Sequence, residues 1–257
     1  MDGYGYLTIK REDDTVRLTM NRPDRRNALS NQLLIELGHA FSEIGETDAT
    51  GIVLAGAGPV FCSGHDFEDV AARDQAGVRE MLRTCTALMA TIQSVPQVVI
   101  ARVHGLATAA GCQLVASCDL AIAGFSALFA LPGGNGGWFC HTPAVAVGRN
   151  IGRKRLMELA LTGEAIDART AAAWGLINYA VPDDHLDEAV DDLLGLATRG
   201  SRRSKGVGKQ TIYAQLDRPE QDGYAIATEV MAATSAYPSA REGMAAFLHK
   251  RPPVWPE

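Results

Sequence analysis

Apolar and polar positions change rhythm along the chain, and the rhythm predicts the elements. Tyr6–Lys10 and Thr15–Met20 are short β-prone runs separated by the polar stretch Arg11–Asp14, which predicts a hairpin. Ser30 is a good N-cap, and Leu33, Leu34, Leu37, Phe41 and Ile44 then recur at helical spacing. Gly51–Leu54 reads as a short buried strand, followed by a loop over Ala55–His65. A second stripe, through Val78, Met81, Cys85, Leu88 and Ile92, predicts a helix that Pro96 closes. Val98–Val103 and Leu120–Ala123 are continuous apolar runs, as expected of strands covered on both faces. Helix and strand alternate, which predicts an α/β fold with largely parallel, buried strands. Beyond Pro182 the pattern is helical: Leu186, Ala189, Val190, Leu193 and Leu194 form one stripe, no convincing strand follows, and Pro252-Pro253 stops the last helix. The division expected is an α/β core over residues 1–195 and a helical C-terminal region over 196–257, with no tandem repeat.

Composition narrows the class. A chain of 257 residues has room for one large domain, or one domain with an appendage. Its 47% hydrophobic and 21% charged content are those of an ordinary soluble globular protein. A net charge of −6 with no long basic run argues against nucleic acid as a partner. It leaves room for a small anionic ligand held by a few cations and backbone N–H groups. No apolar run approaches the roughly 18 residues that cross a bilayer, so no membrane partner is expected. Met1-Asp2-Gly3-Tyr4-Gly5-Tyr6 has neither the basic nor the apolar part of a secretory signal. The five cysteines are odd in number and form no CxxC pair, so they read as reduced thiols, which predicts a cytoplasmic setting. No metal site is expected.

Two glycine-bearing loops carry the candidate chemistry. One is Gly58–Phe67, after the strand Gly51–Leu54; the other is His104–Leu114, after Val98–Val103 and opening a helix. Small residues let a ligand approach the main chain closely, and a helix N-terminus aims free N–H groups at negative charge. Two such loops at two strand ends can each aim one N–H at a single oxygen, the arrangement that stabilises an enolate or a tetrahedral oxyanion. Spacing alone leaves a structural reading open, because strand–glycine–helix turns recur throughout α/β proteins.

The residues themselves are more specific. Phe61-Cys62-Ser63-Gly64-His65-Asp66 resembles the crotonase motif F-[SCA]-[AS]-G-x-D, and His104–Ala123 resembles the same family's NGxAxGGGxELxxxCDxxIA segment. Arg22–Leu29, Leu161-Thr162-Gly163-Glu164, Ala171–Leu176 with Val181-Pro182, and the closing Phe247–Trp255 match in family order. The chain is therefore identified as similar to the enoyl-CoA hydratase/isomerase (crotonase) superfamily. The resemblance implies a crotonase (ClpP-like) fold of repeated ββα units, with a helical C-terminal region that packs subunits into homotrimers or dimers of trimers. It implies an acyl-CoA thioester as substrate or ligand, no separate cofactor, and a role in fatty acid or lipid metabolism. It places the oxyanion donors at the backbone N–H groups of His65 and Ala110. It lays Ser63, Gly64, His65, Asp66, Phe67 and Glu68 along the CoA, with Arg25, Asn27, Ala28 and Leu29 lining the same groove and Gly111 beside it. Phe247 and Lys250 reach the CoA of a neighbouring subunit.

The departures from that pattern bear on activity. The family's two catalytic glutamates fall on Gln113 and Gly133. An amide has no titration near neutrality to act as a base, and glycine has no side chain, so hydration should be weak unless another group substitutes. His141, in the loop that the resemblance sets against the acyl group, is the candidate acid or base, because histidine is the residue type suited to proton transfer near neutral pH. Its bland reading is a polar cap for a helix starting near Pro143. For Gln113 the bland reading is a hydrogen bond to water or backbone; for Asp66 and Asp119 it is satisfying backbone donors; for Cys62, Cys112 and Cys118 it is filling the core. Three functions remain open: a hydratase/isomerase-type lyase, a non-catalytic acyl-CoA binding protein, and a crotonase-type decarboxylase or thioester hydrolase.

Overall fold

A computed structural model describes residues 3–256; Met1, Asp2 and Glu257, at the ends of the two expected regions, lie outside the described residues. Strands β1 (Leu7–Glu12) and β2 (Thr15–Met20) pair antiparallel from Leu7↔Met20 to Glu12↔Thr15. The turn is only Asp13-Asp14. Arg11 and Glu12, expected in the turn, stay in the strand because they pair with Val16 and Thr15, while Asp13 takes a left-handed φ of 50°, which a short polar side chain tolerates. Along β2 the buried positions alternate as Val16, Leu18 and Met20. Helix α1 (Asn31–Gly45) starts where Ser30 Oγ accepts from the Leu33 N–H at 3.3 Å, and it buries the stripe from Leu33 to Ile44. After β3 (Gly51–Gly56) come α2 (Phe67–Ala71) and α3 (Gln75–Ser94), capped by Asp66 and Asp74. The five-residue α2 is too short to leave a periodic signature in the sequence.

The next segment repeats one unit. β4 (Val98–Val103), β5 (Leu106–Thr108) and α4 (Ala110–Ser117) are followed by β6 (Leu120–Gly124), β7 (Leu128–Ala130) and α5 (His141–Gly148). In each unit the first strand joins a six-stranded sheet and the second joins a three-stranded one. The large sheet runs β1-β2-β3-β4-β6-β9, parallel except for the β1/β2 hairpin, with β9 at Tyr179–Val181. The small sheet runs β5-β7-β8, with β8 at Ile166–Asp167. Helices α6 (Arg153–Thr162) and α7 (Ala168–Trp174) flank β8 along the chain. This is the fold of repeated ββα units that the resemblance implied.

Strand alternation sorts the core into two layers. Ile52, Leu54, Val99 and Ala101 face the main core with α1, α3 and α4, while Val53, Ile100 and Ile122 face Leu186, Val190 and Leu194 of α8 (Leu186–Thr198). The expected division at residue 195 thus falls inside α8, whose apolar stripe packs against the sheet. Helices α9 (Arg202–Gln215), α10 (Glu220–Thr234) and α11 (Pro238–Leu248) complete the chain. Helix α9 is anchored by a buried cation: Lys209 Nζ meets Asp119 Oδ2 at 2.8 Å and donates to the carbonyls of Ile92 (2.9 Å) and Gln97 (2.8 Å). Among the described residues no helix is long and apolar enough to cross a membrane.

Candidate active site

The two glycine loops are zipped together before any side chain matters. Cys62 and Ala107 form a parallel bridge, with Cys62 N–H donating to Leu106 O at 3.1 Å and Thr108 N–H to Cys62 O at 3.0 Å. Gly111 is required there, since a Cβ would sit 2.3 Å from the Cys62 carbonyl oxygen. At Gly64, φ is +90° and a Cβ would lie 3.0 Å from Ala109 Cβ and 3.5 Å from Ala110 N, so the backbone of one loop rests directly on the other.

Two main-chain donors emerge from this contact. Leu29 pairs with His65 as a parallel bridge whose bonds are Leu29 N–H to Gly64 O (2.8 Å) and Asp66 N–H to Leu29 O (3.1 Å). In such a bridge the central residue's own N–H points off the ladder, so the His65 N–H remains undonated among the described residues. Ala110 opens α4, and a first-turn N–H has no partner within its helix. The residue before it, Ala109, holds φ 50° and ψ −116°, a conformation that only glycine adopts without strain. That turn delivers the Ala110 N–H beside Gly64.

His65 and Ala110 both line a cavity of about 530 Å³, together with Ser63, Phe67, Gly133 and His141 among others. Burial pushes the His65 imidazole down to about 4, so the ring is neutral at neutral pH. Neither of its buried ring nitrogens has a hydrogen-bond partner in the protein, and the ring tilts against Trp138 at 6.1 Å. Burial raises the thiols of Cys62 and Cys112 to about 12, and raises Cys140 against an opposing Gly133 N–H, so none is a thiolate nucleophile. Among the described residues no three His, Cys, Asp or Glu side chains converge as a metal site would require.

Other sequence candidates land elsewhere. Gln113 is buried in α4 with its Oε1 unpartnered, and it is absent from the cavity lining. Gly133 does line the cavity, but a side chain there is excluded by packing: its Cβ would lie 2.2 Å from the Trp138 carbonyl oxygen, and the positive φ of this loop belongs to Gly137. Asn27, expected in the CoA groove, is fully buried; its Nδ2 donates to the carbonyls of Ala57, Val60 and Phe61, and its Oδ1 accepts from Arg22 N–H. Ala28 and Leu29 are buried as well, so they hold the His65 strip rather than present side chains to a ligand. Asp66 caps α2 and pairs with Arg22 (3.1 Å) and Arg25 (3.4 Å); burial raises its pKa, yet Arg22, the Glu68 N–H and Arg25 outweigh that and hold it below the usual carboxylate value. Arg25, Asp66 and Glu68 instead line a separate polar depression of about 380 Å³. Phe247 is 83% exposed at the end of α11, and Lys250 follows it with φ 50°.

His141 is the first residue of α5 and makes no cap: Cys140 occupies the N-cap position without a side-chain bond, and the His141 ring packs 5.1 Å from Phe139 at the cavity wall. The aromatic pair Trp138-Phe139 was not among the sequence candidates. Its one signal was two large aromatic residues closing a glycine-rich run, Gly133–Gly137.

The enoyl-CoA hydratase/isomerase family profile matches residues 10–257, and the chain belongs to that family. It is 40% identical over 252 residues to the mitochondrial enoyl-CoA hydratase domain-containing protein 3 of Rattus norvegicus, covering 97% of this chain and 84% of that protein. It is 31% identical to the 2,3-dehydroadipyl-CoA hydratase of Escherichia coli, covering 96% and 97%. Among solved structures it resembles an enoyl-CoA hydratase of Mycobacterium smegmatis, with a TM-score of 0.95 at 42% identity, covering 97% and 98%. It also resembles human enoyl-CoA hydratase domain-containing protein 3, with a TM-score of 0.93 at 37% identity, covering 97% and 100%.

Proposed function

We propose that this family member binds an acyl-CoA thioester and stabilises the enolate of its carbonyl between the N–H groups of His65 and Ala110. One observation carries the reading: among the described residues the N–H groups of His65 and Ala110 donate to nothing, both residues line one cavity of about 530 Å³, and the Ala110 nitrogen lies against Gly64, the residue before His65. Preorganised donors at a developing oxyanion are usually the largest electrostatic contribution to such catalysis. His141 is the group proposed to move the proton, since it lines the same cavity and Gln113 does not. Water addition needs a proton taken and a proton given, so ordinary hydration of crotonyl-CoA is proposed to be weak. The proposal extends to a homotrimer or dimer of trimers, supported by exposed Met231, Phe247 and Leu248 on the C-terminal helices. It also extends to a cytoplasmic setting, supported by five buried free thiols, with the mitochondrion as the rival compartment.

Calorimetry with crotonyl-CoA and free CoA tests the site, because only the thioester supplies the carbonyl oxygen. Tighter binding of crotonyl-CoA is expected, and equal affinity would remove the oxyanion assignment. If turnover is present, Ala110→Pro should cost about 2.7–4 kcal/mol of barrier stabilisation by deleting one donor, with circular dichroism as the control. A specific observation favours a second reading, a non-catalytic acyl-CoA binder: one glutamate position is off the cavity and the other is closed by packing. Turnover assays on crotonyl-, longer enoyl- and malonyl-CoA separate it from the lyase and from a decarboxylase or thioester hydrolase.

A further inference from the structure

The cavity wall has a chemistry of its own beyond the two N–H groups. Phe, Trp and Tyr make up 6% of the chain, yet Phe67, Trp138 and Phe139 line this one cavity together with the imidazoles of His65 and His141. Three tilted ring pairs form a belt of two groups there: His65–Trp138 at 6.1 Å with Trp138–Phe67 at 6.2 Å, and Phe139–His141 at 5.1 Å. The belt is not consumed by core packing, because Phe67 is 69% exposed and Trp138 37% exposed, leaving ring faces and edges available to a ligand. Pro132 and Pro143 stiffen the same wall.

Charge is the second observation. No Lys, Arg, Asp or Glu lines the cavity among the described residues. A ligand carboxylate at the distal end of the acyl group would be desolvated there with no permanent cation to pair with, since a histidine of the lining carries charge only while protonated. The His65 ring cannot serve as that cation, since it stays neutral in its buried place.

We propose that the acyl end of this site selects an uncharged, ring-bearing acyl group, an aryl or aryl-conjugated CoA thioester, over straight aliphatic and dicarboxylic acyl groups. Ring pairs gain from edge-to-face and offset contacts beyond what their buried area gives, because the electron-rich face of one ring meets the electron-poor edge of another. A saturated ring of the same size fills the volume without that gain. The inference rests on the acyl-CoA reading above and revises its fatty-acyl expectation.

The test is isothermal calorimetry on the intact protein with matched ligand pairs, alongside free CoA. Benzoyl-CoA against cyclohexanecarbonyl-CoA isolates ring aromaticity at constant size, and hexanoyl-CoA against adipoyl-CoA isolates the distal charge. Benzoyl-CoA is expected to bind about 2- to 10-fold more tightly than its saturated counterpart, the range that one such ring pair provides. Adipoyl-CoA is expected to bind at least about 10-fold more weakly than hexanoyl-CoA. Trp138→Leu, at a part-exposed position of the cavity wall, should bring the affinity ratio of benzoyl-CoA to cyclohexanecarbonyl-CoA to about 1, a ratio that a general loss of affinity for thioesters does not change. Equal affinity for benzoyl- and cyclohexanecarbonyl-CoA, or a preference that survives Trp138→Leu, overturns the inference. If every thioester binds no better than free CoA, the acyl-CoA reading itself fails, which is a different result.

Discussion

Replacing Lys209 with Met removes the cation that ties α9 to the sheet while keeping a side chain of similar length. Lys209 Nζ makes three contacts within 2.9 Å, to Asp119 Oδ2 and to the carbonyls of Ile92 and Gln97. Its loss leaves the Asp119 carboxylate with only neutral donors, the Val99 N–H at 2.7 Å and the Tyr213 hydroxyl at 2.9 Å. It also strips a buried donor from two carbonyls. Breaking one side of a buried pair typically costs about 3–5 kcal/mol, because the remaining charge is stranded. For a chain of this length that corresponds to a fall in Tm of about 6–20 °C. Burial raises the Asp119 pKa and lowers that of Lys209 despite their mutual attraction, so desolvation outweighs the pairing in both groups. The pair therefore fixes where α9 docks more than it adds net stability. It follows that Asp119→Asn combined with Lys209→Met should recover most of the loss, since the amide oxygen still accepts from Val99 or Tyr213 and no charge is left unpaired. Thermal and urea unfolding at one fixed protein concentration, followed by circular dichroism, measure all three variants. A Lys209→Met variant within about 1 kcal/mol of the parent would refute the reasoning, as would a double variant less stable than the single one.

Gln113→Glu with Gly133→Glu is expected to restore little crotonyl-CoA hydration, because the new Cβ at 133 meets the Trp138 carbonyl at 2.2 Å; a hydration assay giving a rate typical of the family would show that the loop yields. Ala109→Gly should leave stability unchanged or raise it by up to about 1 kcal/mol, relief of the φ 50° strain set against extra chain entropy, and Ala109→Val should lower it by about 1–3 kcal/mol; urea midpoints decide. His65 gives a pH dependence of definite sign. Its folded pKa of about 4 lies below its ordinary 6.5, so the unfolded chain takes up the proton first, and stability present above pH 6.5 is lost as pH falls towards 4. The contribution is up to about 3 kcal/mol. His65→Phe should flatten that part of the slope, and an unchanged difference between unfolding at pH 7.5 and pH 5 would count against the buried neutral ring.

Much of this protein was decided by the sequence itself, wherever the determinant is local. The stripe from Leu33 to Ile44, the cap at Ser30, and the continuous apolar runs of β4 and β6 each declare an element through periodicity or burial, and the ordered motifs from Phe61 and His104 onward declare the family. What tertiary structure decided is what depends on contacts between segments distant in the chain. Leu106–Thr108 and Leu128–Ala130 are too short to signal strands, and they become strands because they pair with each other. Asn27 looked like a groove residue and is instead the buried clamp for three carbonyls of the loop over residues 57–61. Gly133 looked like a catalytic position merely lacking its side chain, yet the carbonyl of a residue five places later, folded back upon it, leaves no room for one. Sequence spacing states which backbone groups are free to bend towards one another. Only packing determines which N–H remains undonated, which ring faces a cavity and which side chain has no room.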